Sequence, residues 1–300
     1  MKHLTVSEHT FRWGERTYIM GILNITPDSF SGDGLLHPPA SPDSSESEGV
    51  IRALEQGRQF AAAGAEILDV GGESTRPGSQ PVSAEEEAAR VLPVIRAISA
   101  ELPDMLISVD TYKAAVAEEA LRAGAHMVND VWALRADPEL ARVIASHQAP
   151  VILMHNRSNP ANIEIRARLG SAYEGVEYQN LIEDVKRELM ESVKIARRAG
   201  IPDKHIILDP GIGFGKTVQH NLELIDRLGE LRSLGFPILL GPSRKSFIGF
   251  ILDLPPDQRL EGTAAAVAVG IARGADILRV HDVAFMTRVA KIADTIVRRK

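Results

Sequence analysis

The stretch HIILDPGIGFGKT (residues 205–217) reads as a short buried strand that ends in a polar residue and a glycine-rich loop. Its glycines, lysine and threonine are similar to a nucleotide-binding phosphate loop, which has Gly, four residues and then Gly-Lys-Ser/Thr. The position that requires the first glycine is Pro210, and proline has no backbone N–H and a fixed φ. We therefore exclude a phosphate loop, so Asp209 at the strand end needs another ligand.

The same pattern of apolar run, loop and helix-like segment occurs eight times along the chain. The runs occupy residues 18–23, 66–70, 105–110, 126–130, 150–154, 205–209, 236–240 and 276–280. Strands that are apolar throughout are typical of parallel sheets with both faces buried. The intervening segments have helical periodicity, and the longest carries one apolar stripe: Leu181, Val185, Leu189, Val193 and Ala196. Eight β/α units over about 250 residues predict a TIM (β/α)8 barrel, with a doubly wound open sheet as the alternative.

We expect residues 1–300 to form a single domain, with a short N-terminal β-hairpin in 1–17 and the barrel in 18–300. The Pro/Ser-rich segment 37–47 lies inside the first βα loop, and we interpret it as a mobile lid rather than a linker. A polar stretch at about 156–175 follows the fifth strand and matches no predicted element.

Composition excludes several classes of protein. A net charge of −6 and a pI of about 5.9 argue against a surface that binds nucleic acid. The chain has no cysteine, which rules out disulfides, thiolate zinc sites and a cysteine nucleophile, and fits a reducing compartment. The N-terminal residues lack the apolar core of a signal peptide, and no apolar run approaches the roughly 18 residues of a membrane helix. We expect a cytoplasmic protein without membrane or nucleic-acid partners.

Polar residues follow every predicted strand at its C-terminal end, where barrel enzymes have their active sites. In strand order they are Asn24; Thr75 and Arg76; Asp110; Asn129; His155; Asp209; Arg244 and Lys245; and Arg279 and His281. Each taken singly also fits a helix cap, a turn residue or a solvated cation. Because all eight strands carry such a residue at one rim, a shared site is the better interpretation.

The polar residues at this rim fall into three groups according to the ligand that each would bind. Three suit the N–H edge of a flat heterocycle: Asp110, Asn129 and Asp209. Three suit an anionic group: Lys245, Arg279 and His281. Asn24 offers an oxygen to Mg²⁺, which usually keeps waters and substrate phosphate oxygens as its other ligands. Together they suggest a pyrophosphate ester of a nitrogen heterocycle as the substrate.

Seven motifs of the chain resemble those of the dihydropteroate synthase family, in that family's order. They are GILNITPDSFSGDG (21–34), DVGGESTRPG (69–78), SVDTYK (108–113), MVNDV (127–131), LDPGIGFGKT (208–217), SRKSFIG (243–249) and RVHD (279–282). The resemblance implies a TIM barrel that joins 7,8-dihydropterin-6-ylmethyl diphosphate to 4-aminobenzoate, with release of pyrophosphate, in folate synthesis. It also implies a dissociative mechanism, a homodimer and sensitivity to sulfonamides.

The resemblance also implies roles for individual residues. The catalytic residues would be Asp110, Asp209, Lys245, Arg279 and His281. Asn129, Met154 and Phe214 would complete the pterin pocket, and Thr75 would contact the diphosphate. The aminobenzoate pocket would include Phe30, Arg76 and Ser246, and the Mg²⁺ ligand would be Asn24.

Two other functions are compatible with a pterin-binding barrel. One is a methyltransferase that passes a folate methyl group to a corrinoid, and the other is a pterin-binding module without catalysis. Neither requires groups that stabilise a departing pyrophosphate, so Thr75, Arg76, Lys245, Arg279 and His281 argue against both.

Overall fold

The computed structural model describes residues 3–26, 45–74, 79–166, 168–174 and 176–298. The chain opens with an antiparallel hairpin of β1 (His3–Val6) and β2 (His9–Arg12), as predicted. Eight parallel strands follow: β3 (Tyr18–Asn24), β4 (Ile67–Gly71), β5 (Leu106–Asp110), β6 (Met127–Asp130), β7 (Val151–Met154), β10 (Ile206–Asp209), β11 (Leu239–Leu240) and β12 (Ile277–Val280). Each lies within one residue of a predicted run, except β11.

The sheet closes into a barrel, which confirms the predicted fold. Its strand order is β10-β7-β6-β5-β4-β3-β12-β11, and a parallel bridge between Leu208 and Ile238 joins the two ends. β11 is shorter than the predicted 236–240 because Pro237 has no N–H to donate to a ladder. Pro237 instead accepts a hydrogen bond from the Leu208 N–H at 3.0 Å.

Helices cover the outside of the barrel. They are α1 (Ser45–Ala62), α2 (Ala84–Glu101), α3 (Ala114–Arg122), α4 (Leu140–Ser146), α5 (Leu181–Arg198), α6 (Val218–Asp226), α7 (Ser246–Leu252), α8 (Leu260–Ala272) and α9 (Val283–Val297). The predicted apolar stripe of α5 is buried along its whole length. None of the helices in the described ranges is long and apolar enough to cross a membrane.

Three elements differ from the sequence prediction. The helix-like segment between the runs 205–209 and 236–240 is divided, because α6 ends at Asp226 and a 3₁₀ helix follows at Leu228–Leu234. The short helix α7 was not predicted. The polar stretch after β7 contains a second antiparallel hairpin, formed by β8 (Ile163–Arg166) and β9 (Gly170–Tyr173).

The barrel interior changes from apolar to polar along the strands. At the N-terminal end, Phe11 of the hairpin packs into the interior cluster that contains Met20 and Ile67. Along β4, Leu68 packs outward in the larger cluster beneath the helices, so alternation turns Ile67 and Asp69 inward. The hairpin thus seals one end of the barrel, and the polar residues lie toward the other.

Candidate active site

A cavity opens at the C-terminal ends of the strands. Seven residues predicted for the site line it: Asp110, Asn129, Met154, Asp209, Phe214, Lys245 and Arg279. The remaining lining residues are Val131, Ile212 and Gly241. The structure therefore brings two carboxylates, an amide and two cations together with an aromatic and an aliphatic wall.

Arg279 lies between two aspartates in this cavity. Its Nε donates to Asp69 Oδ2 and its Nη2 to Asp110 Oδ2, both at 2.5 Å. Burial raises the pKa of Asp110, which the positive charge of Arg279 opposes and the negative charge of Asp69 enhances. Burial alone would lower the pKa of Arg279, but the two carboxylates raise it above its ordinary value. Arg279 therefore remains a cation although it is enclosed by the barrel.

Asp69 belongs to the site but was missed in the sequence. It is fully buried, and its Oδ2 also accepts a hydrogen bond from Asn129 Nδ2 at 3.1 Å. This bond fixes the orientation of the Asn129 amide in the cavity. A sequence signal for Asp69 exists: it lies two residues after Ile67 and therefore on the same face of the strand. The interpretation of the whole run as apolar overlooks this carboxylate.

The buried carboxylates have acceptor capacity for a ligand. Asp110 Oδ1 is buried and has no hydrogen-bond partner among the described residues. Asp209 Oδ1 accepts the Gly211 N–H at 2.7 Å. Burial raises the pKa of Asp209, which this N–H and the nearby cations oppose. An ionised carboxyl group has more lone pairs than these bonds use, so both aspartates can accept N–H groups from a heterocycle edge.

Phe214 and Lys245 line the cavity in contact with each other. The Lys245 ammonium lies 4.2 Å from the centre of the Phe214 ring, within cation–π distance. Met154, at the end of β7, is buried and supplies a polarisable apolar surface. A planar ring bound here would contact apolar side chains on its faces and polar groups on its edge.

Three residues to which the resemblance gives a ligand or substrate contact are described but do not line the cavity: Asn24, Ser246 and His281. His281 Nδ1 lies 3.0 Å from Ser243 Oγ, which also accepts the His281 N–H at 3.2 Å. Ser246 begins α7 directly after Lys245, and the half-buried Asn24 ends β3 beside Gly71. These residues surround the cavity at the same rim.

The Mg²⁺ site expected at Asn24 stays a prediction. The described ranges contain no group of three or more His, Cys, Asp or Glu side chains that could hold a metal ion. Mg²⁺, however, is usually bound by few protein oxygens and completes its coordination with waters and substrate phosphates. The amide oxygen of Asn24 suits that arrangement.

Phe30, Thr75 and Arg76 lie outside the described residues, and so does the predicted lid up to residue 44. The chain that leads toward Thr75 is anchored at Glu73. The Glu73 carboxylate pairs with Lys113 and accepts the Tyr112 hydroxyl at 3.0 Å.

His155 directly follows β7, at the rim as predicted, but does not line the cavity. Its Nδ1 accepts from Lys216 Nζ at 2.9 Å, and its Nε2 lies 3.1 Å from Glu188 Oε2. Burial and the charge of Lys216 lower the pKa of His155 to about 3, so the ring is neutral. Lys216, the lysine of the glycine-rich loop, is itself buried and also donates to the Phe214 carbonyl at 2.9 Å. It supports the loop from behind and does not reach a phosphate site.

Known proteins match this chain over nearly its full length. The family described as pterin binding enzyme matches residues 20–281. A dihydropteroate synthase from Clostridium beijerinckii is 47% identical over 297 residues, which are 99% of this chain and 100% of that protein.

Two solved structures have the same fold and were determined with small molecules related to the predicted substrates. A dihydropteroate synthase from Clostridium difficile, crystallised in the presence of pteroic acid, is 44% identical with a TM-score of 0.83 over 96% of this chain and 100% of that one. A dihydropteroate synthase from Xanthomonas albilineans with 4-aminobenzoic acid is 38% identical with a TM-score of 0.84 over 98% of each chain. This chain therefore belongs to the pterin-binding enzymes and, within that family, to the dihydropteroate synthases, which are transferases of folate biosynthesis.

Proposed function

We propose that the enzyme condenses 7,8-dihydropterin-6-ylmethyl diphosphate with 4-aminobenzoate to give 7,8-dihydropteroate and pyrophosphate. The observation that carries this proposal is the convergence of Asp110, Asn129 and Asp209 in one cavity with Lys245 and Arg279. Acceptors and an amide suit the N–H edge of a pterin, and the cations suit its carbonyl and the diphosphate. The related structures obtained in the presence of pteroic acid and with 4-aminobenzoic acid agree with this substrate class.

The pterin ring would lie between Met154 and Phe214, with its N–H edge toward Asp110 and Asp209. Lys245 would donate to the ring carbonyl, since its ammonium is held over Phe214 at the cavity edge. The diphosphate would extend toward Arg279, His281 and Thr75. Phe30, Arg76 and Ser246 would contact 4-aminobenzoate at the outer end of the cavity.

In the chemical step, the C–O bond between the pterin methylene and the diphosphate breaks, and its electron pair leaves with pyrophosphate. Asp110 and Asp209 place negative charge beside the resulting delocalised cation, while Arg279 and His281 place positive charge toward the leaving anion. The aniline nitrogen of 4-aminobenzoate then forms the new C–N bond and loses one proton. Bound Mg²⁺ would neutralise part of the diphosphate charge, with Asn24 as its protein ligand.

One assay tests this function. The enzyme is incubated with the pterin diphosphate and Mg²⁺, with and without 4-aminobenzoate, and pyrophosphate and dihydropteroate are quantified. We expect equal amounts of both products when both substrates are present, and loss of turnover with EDTA that added Mg²⁺ reverses. Pterin binding without product at any 4-aminobenzoate concentration would indicate a binding module, and activity only with a methylated folate would indicate a methyltransferase. A sulfonamide should inhibit competitively with 4-aminobenzoate.

We also propose that the enzyme is a homodimer that associates through its last helices. α8 is almost wholly apolar, and α8 and α9 pack together while exposing Val269, Ile292 and Ile296. An exposed apolar patch of this kind is typical of a protein interface. Sedimentation should give twice the chain mass, and Val269→Glu should give the monomer. A monomeric wild type at micromolar concentration would contradict the proposal.

The cytoplasmic location of the protein stays a prediction.

A further inference from the structure

Arg259, the residue before α8, is a buried cation. Its side chain is among the largest that are fully enclosed, with 2% of the residue exposed. No carboxylate in the described ranges forms an ion pair with it, and burial lowers its pKa to about 10. A buried charge is costly unless it is fully hydrogen-bonded, so the contacts that hold Arg259 need an explanation.

The guanidinium donates to three backbone carbonyls from three separate segments. Nη1 donates to Arg244 O at 2.9 Å, Nη2 to Leu169 O at 3.0 Å, and Nε and Nη2 to Leu254 O at 3.0 and 2.9 Å. Leu169 lies in the turn of the β8–β9 hairpin, and Leu254 follows α7. Arg244 lies in the loop that carries Lys245 and Ser246. One side chain therefore joins the unpredicted hairpin to the loop of the candidate site.

α7 is shaped to accommodate this guanidinium. Gly249 lies against it so closely that an added Cβ would overlap the guanidinium group. The hairpin also contacts α7 and its C-terminal end, because Arg166 lies over the Phe250 ring at 4.9 Å and Arg168 pairs with Asp253.

Arg244 needs such anchoring because its backbone is left-handed, with a φ of +54°. A non-glycine residue in that region costs of the order of 1–3 kcal/mol and persists where its surroundings hold it. Its carbonyl is held by Arg259, its N–H donates to Thr263 Oγ1 at 3.0 Å, and its guanidinium pairs with Asp282 at 2.6 Å. The next residue is Lys245, whose ammonium lies over Phe214.

We propose that Arg259 is a positioning residue: it fixes the Arg244 backbone so that Lys245 faces the pterin pocket, and it fastens the β8–β9 hairpin to the same loop. Arg259 contacts no cavity-lining side chain in these hydrogen bonds and acts through Lys245. The assignment of Lys245 as a pterin contact rests on the proposed function. The clamp itself, which is the set of bonds from Arg259 to residues 169, 244 and 254, does not.

Two variants disturb the clamp from opposite sides. Arg259→Lys keeps the charge but cannot reach three carbonyls with a single ammonium, and Gly249→Ala displaces the guanidinium without changing any charge. Arg273→Lys is the matched control, because Arg273 follows the same helix but is exposed and pairs with Asp226. Hydrogen exchange of peptides covering 163–173 and 243–249 should accelerate at least tenfold in both clamp variants and stay at the wild-type rate in the control. Unchanged exchange in both variants would overturn the clamp.

A double-mutant cycle tests the action through Lys245. Arg259→Lys should weaken pterin binding about tenfold by calorimetry and raise the KM for the pterin substrate while kcat changes less than threefold. In a Lys245→Met background the same change should have almost no further effect, because coupled residues are not additive. Additive losses would show that Arg259 acts elsewhere and overturn the positioning role. A wild type that binds no pterin would refute the proposed function instead, and the exchange experiment needs no substrate.

Discussion

At the scale of single residues, the cavity holds one arginine between two buried aspartates. Arg279 reaches Asp69 and Asp110 with separate N–H groups, so its orientation does not depend on either carboxylate alone. Asp69 in addition orients the amide of Asn129. Asp69 thus organises two predicted site residues although it does not line the cavity itself.

We expect Asp69→Asn to destabilise the protein by about 2 kcal/mol, because the buried Arg279 Nε–H loses its charged acceptor while Asp110 still balances the charge of the guanidinium. Urea unfolding measures this difference, and pterin affinity measured by calorimetry should fall in parallel. Asp226→Asn is the control, since Asp226 pairs with the half-exposed Arg273 and an exposed pair contributes about 0–1 kcal/mol. Equal effects of the two substitutions would contradict our interpretation of Asp69.

The substitution Asp209→Asn tests whether Asp209 accepts hydrogen bonds from the N–H edge of the pterin ring. The substitution keeps the side-chain shape but replaces one acceptor oxygen with a donor that faces the N–H groups of the pterin. A mispaired buried hydrogen bond to a charged group costs on the order of 2–3 kcal/mol, so pterin affinity should weaken by roughly 30- to 150-fold. If calorimetry shows unchanged affinity with an intact fold, Asp209 only forms the turn to Gly211.

At the scale of elements, the glycine-rich loop after β10 packs against the end of β7. Gly211 has a φ of +70°, and a Cβ there would overlap the His155 carbonyl oxygen. Lys216 then bonds the His155 ring and the Phe214 carbonyl from within the loop. The two elements are therefore joined by backbone proximity as well as by the buried side chain of Lys216.

Gly211→Ala should destabilise the protein by at least about 3 kcal/mol, since it adds an overlap to the cost of a left-handed alanine. Gly200→Ala separates the two contributions, because Gly200 has a φ of +95° but open space around it. That control should lose only about 1 kcal/mol. Chemical denaturation of both variants measures the difference, and similar losses would show that the approach to His155 is unimportant.

At the scale of the whole molecule, the buried neutral His155 links stability to pH. Its pKa is lowered to about 3 in the folded protein from about 6.5 in an unfolded chain. Between these values the unfolded state binds more protons, so the contribution of His155 is complete above pH 6.5 and is lost as the pH falls toward 3. The slope approaches ~1.4 kcal/mol per pH unit.

His155→Gln should therefore reduce the acid sensitivity of folding, because glutamine can bond Lys216 and Glu188 without titrating. The difference in unfolding free energy between wild type and variant should shift in favour of the variant as the pH falls from 7 to 4.5. Denaturation curves at several pH values measure this shift. His147→Gln, at an exposed position, is the control, and a pH-independent difference for His155→Gln would mean that the folded protein tolerates a charged ring.

Much of the barrel could be predicted from the sequence because its signals are local. Each signal lies within one element: an apolar run marks a strand, helical periodicity marks a helix, and a glycine marks the end of a helix. Eight such strand and helix units in series predict the barrel before any contact is known. The C-terminal strand ends then predict five of the cavity-lining residues, Asp110, Asn129, Asp209, Lys245 and Arg279, and the family resemblance adds Met154 and Phe214. The hairpin at 163–173 was missed, since its polar strands lack a core-facing alternation.

The tertiary structure alone decided which of these residues act together. Arg279 and Asp69 are 210 positions apart, and they meet because the closing barrel places β12 and β4 on either side of β3. His155 and Arg244 carry polar side chains at the same rim, yet one bonds Lys216 behind the cavity and the other bonds Asp282. The sequence by itself determines which residues form the strands and which polar residues follow each strand. The direction of each polar side chain depends on partners that only the closure of the barrel brings within hydrogen-bond distance.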